Sequence, residues 1–335
     1  MTTAPEETTE KTLRSTVPPA REWARTYLIG LFMGTADAVP GVSGGTIALI
    51  AGIYERLIAA ITAVTPGRFV AGVRALTPLD GGVSLDRAAA VLDDVDGWFL
   101  VALLAGIMTA VITVTRIVHV ASDETPVLLF GVFFGLIAAS AVVLLRAVSV
   151  TTAAEAASGV AGFALAFWLS GYGQVLESGG LAVVFVAGAV AVSAMILPGI
   201  SGSLMLVILS QYERMSDALS LFVDAFAGVA TGGGTAPLVK HGTVVLTFVG
   251  GGLVGLFTIS RAIRRALDAD RDVTFAFLVA LVLGALRAPV AELRGRPDVS
   301  FTEPTVAAFA GAAAVGAVVV LVLDWYAVDL DLDSV

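Results

Sequence analysis

The chain has no cysteine, and its only histidines are His119 and His241. Disulfides, thiolate nucleophiles and cysteine-ligated metals are thereby excluded. Two imidazoles are too few for an ordinary transition-metal centre, so neither a metal nor a cofactor is expected. Charge is scarce as well, at 14% of residues, and lysine is nearly missing, with Lys11 and Lys240 the only two. Any fixed positive chemistry therefore falls to arginine. The 28 acids outnumber the 19 bases and leave a net charge of −9. With no basic stripe to displace counterions from phosphates, nucleic-acid binding is excluded as a main role. An acid-rich, lysine-poor exterior suits concentrated salt, so a halophilic protein that loses its fold in low-salt buffer is the corresponding expectation.

What the chain does have is apolar surface. Hydrophobic residues make up 57% of the 335, and the mean hydropathy is +0.93, more than a water-soluble core uses. Apolar runs near or above spanning length recur at Trp98 to Val118, Val127 to Leu145, Val244 to Ile259 and Thr305 to Leu323. The expectation is an all-α polytopic membrane protein. Residues 1–20 are polar and proline-bearing with no apolar core, and read as a disordered cytoplasmic tail. Residues 21–326 read as a single membrane domain, and 327–335 as an acidic C-terminal tail. The Asp-rich stretch 65–96 predicts a surface helix and loop.

The first apolar stretch, Tyr27 to Val64, is interrupted by Pro40-Gly41-Val42-Ser43-Gly44-Gly45. From Tyr27 to Val39 a helix rises roughly 20 Å, short of a hydrocarbon layer of about 30 Å. A half-helix, a turn and a second helix follow as the expectation. The same construction returns as Pro198-Gly199-Ile200-Ser201-Gly202-Ser203. The two segments share the pattern PGxSG and then, at one fixed distance, Tyr54-Glu55-Arg56 and Tyr212-Glu213-Arg214. Gly106 through Arg116 likewise resembles Gly251 through Arg261. The chain therefore reads as an internal duplication, about 27–171 and 181–326, each copy with one broken segment and about three spans.

Parity then predicts the topology. A re-entrant segment followed by three spans inverts the second copy relative to the first. On that topology the basic residues outside the first break divide roughly two to one in favour of the side holding the N-terminus, which places it in the cytoplasm of a multi-pass cell-membrane protein. Inverted repeats with broken helices are a common transporter layout, with the site at the repeat interface.

Helix starts expose unpaired N–H groups and carry partial positive charge. Ser43, Gly44, Gly45 and Thr46, with Ser201, Gly202 and Ser203, are thus candidates to cradle a phosphate or carboxylate, hinged by Pro40, Gly41, Pro198 and Gly199. The alternative is a pair of simple proline kinks with tight small-residue packing. Arg56 and Arg214 lie too far along the helix to reach the ion held by their own serine. They either capture an anionic headgroup near opposite faces, each restrained by Glu55 or Glu213 when empty, or serve as interfacial anchors. Asp37 lies in an apolar helix, where a carboxylate is costly; it is either a coupling group for a proton or sodium ion or a hydrogen-bond partner for a helix end. Arg287 is either a buried phosphate partner or a side chain that snorkels to the surface.

At these motifs the sequence resembles the polyprenyl-phosphate transporter family, the undecaprenyl-phosphate translocases. The resemblance rests on Ala36 through Thr46, Gly52-Ile53-Tyr54-Glu55-Arg56 and Leu197 through Ser203, with weaker matches at Ser260-Arg261 and Gly284-Ala285-Leu286-Arg287, where serine is expected in place of Ala285. It implies a flippase that returns a lipid-carrier phosphate, undecaprenyl or dolichyl, from the outer to the inner leaflet for cell-envelope glycan assembly, coupled to an ion gradient. In that scheme Arg214, Arg116 or Arg287 receives the phosphate outside, Ser43 and Ser201 hold it midway, and Arg56 or Arg261 releases it inside. A membrane-embedded lipid-phosphate enzyme is the competing class, but neither histidine sits beside an evident nucleophile and acid. A small-anion channel or carrier is the third.

Overall fold

The fold is taken from a computed structural model, which describes residues 18–63, 66–75, 92–146, 148–171, 179–195 and 201–332. The hinge residues Pro198 and Gly199 lie outside the described residues, as do Asp80 and Asp86 of the expected surface loop and most of the N-terminal tail. Among the described residues the regular structure is α-helical throughout.

Helix α1 spans Ala20–Ala38. It is longer than the half-helix expected from Tyr27, because the charged turn around Arg21, Glu22 and Arg25 is helix-competent although hydropathy ignores it. Its length of 19 residues gives a rise of roughly 28 Å, so shortness does not argue for a half-span here. The helix stops where Val39 turns extended (φ −100°, ψ 128°), the conformation a residue before proline is driven to adopt. Gly41 then takes φ +91°, and α2 (Gly44–Ile50) and α3 (Tyr54–Ala63) follow at an angle of 116°.

The corner between α2 and α3 is closed by a left-handed residue, Gly52 at φ +68°, with the Ile53 N–H donating to the Ala48 carbonyl at 3.0 Å and the Gly52 N–H to Leu49 at 3.0 Å. The second copy repeats this corner. After α8 (Gly180–Ala194), the short α9 (Gly202–Ile208) ends at Ser210 with φ +50°; Gln211 donates to the Leu206 carbonyl at 2.8 Å and Ser210 to Val207 at 3.0 Å. Helix α10 (Tyr212–Ala230) then leaves. The turn that glycine makes freely in one copy is held by serine in the other, at a cost of about 1 kcal/mol.

Between these elements come α4 (Pro66–Ala75), α5 (Gly97–Glu124), α6 (Pro126–Leu145) and α7 (Ala153–Leu169). After α10 come α11 (Ala236–Ala269), α12 (Arg271–Gly284), α13 (Arg287–Gly295) and α14 (Glu303–Leu332). The last helix continues beyond residue 326, into the segment expected as a tail. Among the described residues five helical segments, α5, α6, α11, α12 with α13, and α14, are long and apolar enough to cross a membrane; the bent α2 and α3 together make a sixth candidate. With large apolar side chains such as Phe32, Leu104, Trp168, Leu246, Phe257 and Trp325 left exposed, the chain is an all-α polytopic membrane protein.

Helix pairing is alike beside the two PGxSG segments. Helix α1 packs along α5, and α8 along α11. A methyl group placed on Gly30 would collide with the Leu103 carbonyl, and one on Gly106 with that of Tyr27; Gly188 meets Phe248 and Gly251 meets Phe185 in the same way. Backbones touch in these pairs because no side chain intervenes, the small-residue contact expected inside a membrane. The remaining helices cross between the copies, α6 against α14 and α7 against α12. The main core gathers around Phe133, Ile137, Leu204, Ile208 and Leu293. A smaller cluster built on Met33, Ala48, Ile53, Phe99 and Leu103 holds α2 and α3 to α1 and α5.

Candidate functional site

The first break is built on α1, α2 and α6. Ser43 stands at the N-cap of α2, yet its side chain makes no capping bond. The Gly44 N–H instead donates to Asp37 Oδ1 at 2.7 Å. Of the two readings of Asp37, the helix-end partner is the one observed, and the helix start expected to await an anion carries the chain's own carboxylate. Ser140 on α6 donates to the Gly41 carbonyl at 2.5 Å and to Leu136 at 2.8 Å, which ties the break to α6. Beside it opens a cavity of about 180 Å³. Ser43 and Thr46 line one part, with no side-chain hydrogen bond to the described residues. Ile47, Val143, Leu144, Val320 and Leu323 supply an apolar wall, and Asp324 also faces in.

The second break is closed. Ser201 is 1% exposed and Ser203 6%, and their hydroxyls bond each other at 2.6 Å. Gly202 is buried against Met195, which stands where Asp37 stands over Gly44. Tyr212 donates its hydroxyl to the Ala38 carbonyl at 2.5 Å, so the second break is stitched to the end of α1. A cavity beside it, lined by Phe130, Phe133, Tyr212, Glu213 and Glu292, has room of about 30 Å³, enough for a water and not for a phosphate. The expected cradle formed jointly by Ser43 and Ser201 is therefore not assembled: one motif faces a cavity and the other is core.

The arginines also differ from expectation. Arg56 forms a two-pronged pair with Asp96, Nε to Oδ2 at 2.6 Å and Nη2 to Oδ1 at 3.0 Å. It reaches Glu22 at 3.3 Å and lies over the Phe99 ring at 4.3 Å. Glu55 is exposed and takes no part in this pairing. Arg214 donates to Gln211 Oε1 at 3.3 Å, while Glu213 pairs with Arg296 at 2.8 Å and accepts from the Ser122 hydroxyl. Arg56 is thus held by acids distant in sequence and not by the adjacent Glu55, and Glu213 is engaged by Arg296. Arg116 pairs with Asp224 at 2.5 Å, and His119 with Asp217 at 2.6 Å, so α5 and α10 share a polar ladder. Arg261 is exposed on α11. Arg287 donates to the Phe167 carbonyl at 2.8 Å and stacks on that ring at 4.4 Å. It closes the C-terminal end of α7, where a cation is favoured.

None of these five arginines lines the cavity at the first break. Asp324 of its lining is paired to a cation not foreseen, Arg146 at the end of α6, at 3.0 Å. Neither was singled out from the sequence, although each punctuates a long apolar run: Arg146 follows Leu145, and Asp324 is the lone charge between Thr305 and Tyr326. Among the described residues no group of three or more His, Asp or Glu side chains is placed to hold a metal ion.

Fold and site define a polytopic membrane protein organised around two broken helices, one of which faces a cavity with hydroxyls on one wall and aliphatic side chains on another. The sequence profile of the undecaprenyl phosphate translocase-like family matches residues 33–294, and the chain belongs to that family. A Vibrio cholerae protein named polyprenyl-phosphate transporter is 32% identical over 262 residues, covering 78% of this chain and 75% of the relative. One of the same name from Staphylococcus aureus is 30% identical over 273 residues, covering 77% of this chain and 83% of the relative. No solved structure matches the chain. Family and relatives place it among transporters, not enzymes.

Proposed function

We propose that the protein transports polyprenyl phosphate, as its relatives are named for doing, and that it carries the lipid from the outer to the inner leaflet of the cell membrane for reuse in glycan assembly. The observation that carries this reading is the cavity at the first break, which offers hydroxyls from Ser43 and Thr46 alongside an apolar wall from α6 and α14. A lipid phosphate presents the matching chemistry. Its headgroup cannot cross hydrocarbon unaided, whereas its prenyl chain is at home there. The headgroup then sits against the first break while the chain trails into the bilayer.

In this scheme the N-terminus is cytoplasmic, the two copies are inverted, and each break serves one membrane face in turn. The open first break and the buried second break are one end of that cycle. A proton or sodium gradient supplies the drive. The polar ladder of Arg116, Asp224, His119 and Asp217 along α5 and α10 holds the closed face, and Arg56 and Arg214 contact the headgroup near opposite faces once it displaces their present partners.

The test is reconstitution in vesicles that carry a labelled polyprenyl phosphate in one leaflet. Wild type is expected to exchange the label, and Ser43→Ala with Thr46→Val to slow exchange at least about tenfold, as loss of hydrogen bonds to a charged ligand does. Unchanged exchange in the double variant would reject the site. Absence of exchange by wild type, under either a proton or a sodium gradient, would reject the function.

A further inference from the structure

Arg146 and Asp324 come from helices of different copies, α6 and α14, and meet beside the hydroxyls of the first break. Their ion pair spans 3.0 Å, with the arginine side chain 63% exposed and the aspartate 21% exposed. Asp324 faces the cavity that Ser43 and Thr46 line. An ion pair this open to water is weak. A phosphate monoester carries more charge than a carboxylate and presents its oxygens to the guanidinium fork in pairs, which makes it the stronger partner for arginine. The cavity therefore presents two hydroxyls without a partner among the described residues and a carboxylate, Asp324, which holds a cation, Arg146, at its edge.

Resting on the proposed transport function, we infer that Arg146 is the headgroup cation of the open site and that Asp324 is its exchangeable counter-ion. An arriving phosphate monoester takes Arg146 from Asp324, and Asp324 takes it back when the phosphate leaves. No covalent step is involved. The carboxylate keeps the arginine in place when the site is empty and sets how readily the ligand is released.

The opposed signs of two substitutions test this. Binding of radiolabelled farnesyl phosphate to the purified full chain in nanodiscs is measured for wild type, Arg146→Gln, Arg146→Lys and Asp324→Asn, with inorganic phosphate and farnesol as parallel probes. Size-exclusion profiles establish that each variant is folded. Arg146→Gln is expected to weaken farnesyl phosphate at least about tenfold, and Arg146→Lys to weaken it less, since it keeps the charge and loses the fork. Asp324→Asn is expected to tighten binding about threefold or more and to slow release. Farnesol is expected to be indifferent to all three.

If Arg146→Gln and Asp324→Asn weaken binding alike, the pair is only a structural clasp and the inference falls. It falls equally if wild type binds farnesyl phosphate and none of the variants differs, an outcome that leaves the transport reading standing. If inorganic phosphate shows the opposed response while farnesyl phosphate does not bind, the exchange pair stands and the lipid reading falls.

Discussion

The two broken segments begin from nearly the same sequence and end in different surroundings. Both have a serine at the start of a seven-residue helix and a left-handed residue at its end, followed by Tyr-Glu-Arg. The first is held by a smaller, separate cluster and opens onto a cavity. The second is packed into the main core among Phe133, Leu204 and Ile208, with its serines bonded to each other. Local sequence sets the backbone course of a break. What surrounds it decides whether its polar groups are available to a ligand.

The strongest way to break this comparison is to put one charge into both copies. Ser201→Asp buries a carboxylate with no cationic partner and is expected to cost about 3 kcal/mol or more, enough to leave little folded protein. Ser43→Asp is expected to fold with a loss of about 1 kcal/mol or less, and to repel the phosphate. Thermal unfolding in detergent, followed by tryptophan fluorescence, measures both, and equal losses would erase the distinction between open and core.

Next come the helix pairs, where the copies should behave alike. Gly106→Leu and Gly251→Leu each drive a side chain into a facing carbonyl and are expected to destabilise by about 2 kcal/mol, with similar melting shifts. A large difference between them would show that the pairs are not equivalent supports. Tyr212→Phe removes the hydroxyl bonded to Ala38 and is expected to cost about 1 kcal/mol, whereas the exposed counterpart Tyr54→Phe should cost close to nothing. The smallest effect lies at the corners. Ser210→Gly should gain up to about 1 kcal/mol and Gly52→Ser should lose about as much, because only one residue type adopts a left-handed turn without strain.

Much of the architecture was legible from hydropathy and self-similarity. The apolar runs located the long helices, and the PGxSG word located the first break, since proline and glycine act on the backbone locally. The pairings were not legible. Nothing near Arg56 points to Asp96 and Glu22, and nothing near Glu213 points to Arg296, because such partners are set by packing between distant helices. The length of α1 was missed because charged residues at its start look like a boundary to a hydropathy window, yet they are ordinary helix formers. Likewise the identical serines gave no sign of which would be buried, a property that belongs to the neighbours Leu204 and Met205 as much as to Ser201. Arg146 and Asp324 were overlooked for a related reason: each sits at the margin of an apolar run, where a charge reads as punctuation.

The glycine contacts between α1 and α5 and between α8 and α11 have a consequence for inheritance. At Gly30, Gly106, Gly188 and Gly251 even a methyl group would press on the facing backbone, so every missense change at these four codons adds an obstacle and none is silent to the fold. Here each helix pair has its own touching backbones, and neither pair can stand in for the other, so drift is restricted at four positions and not at two.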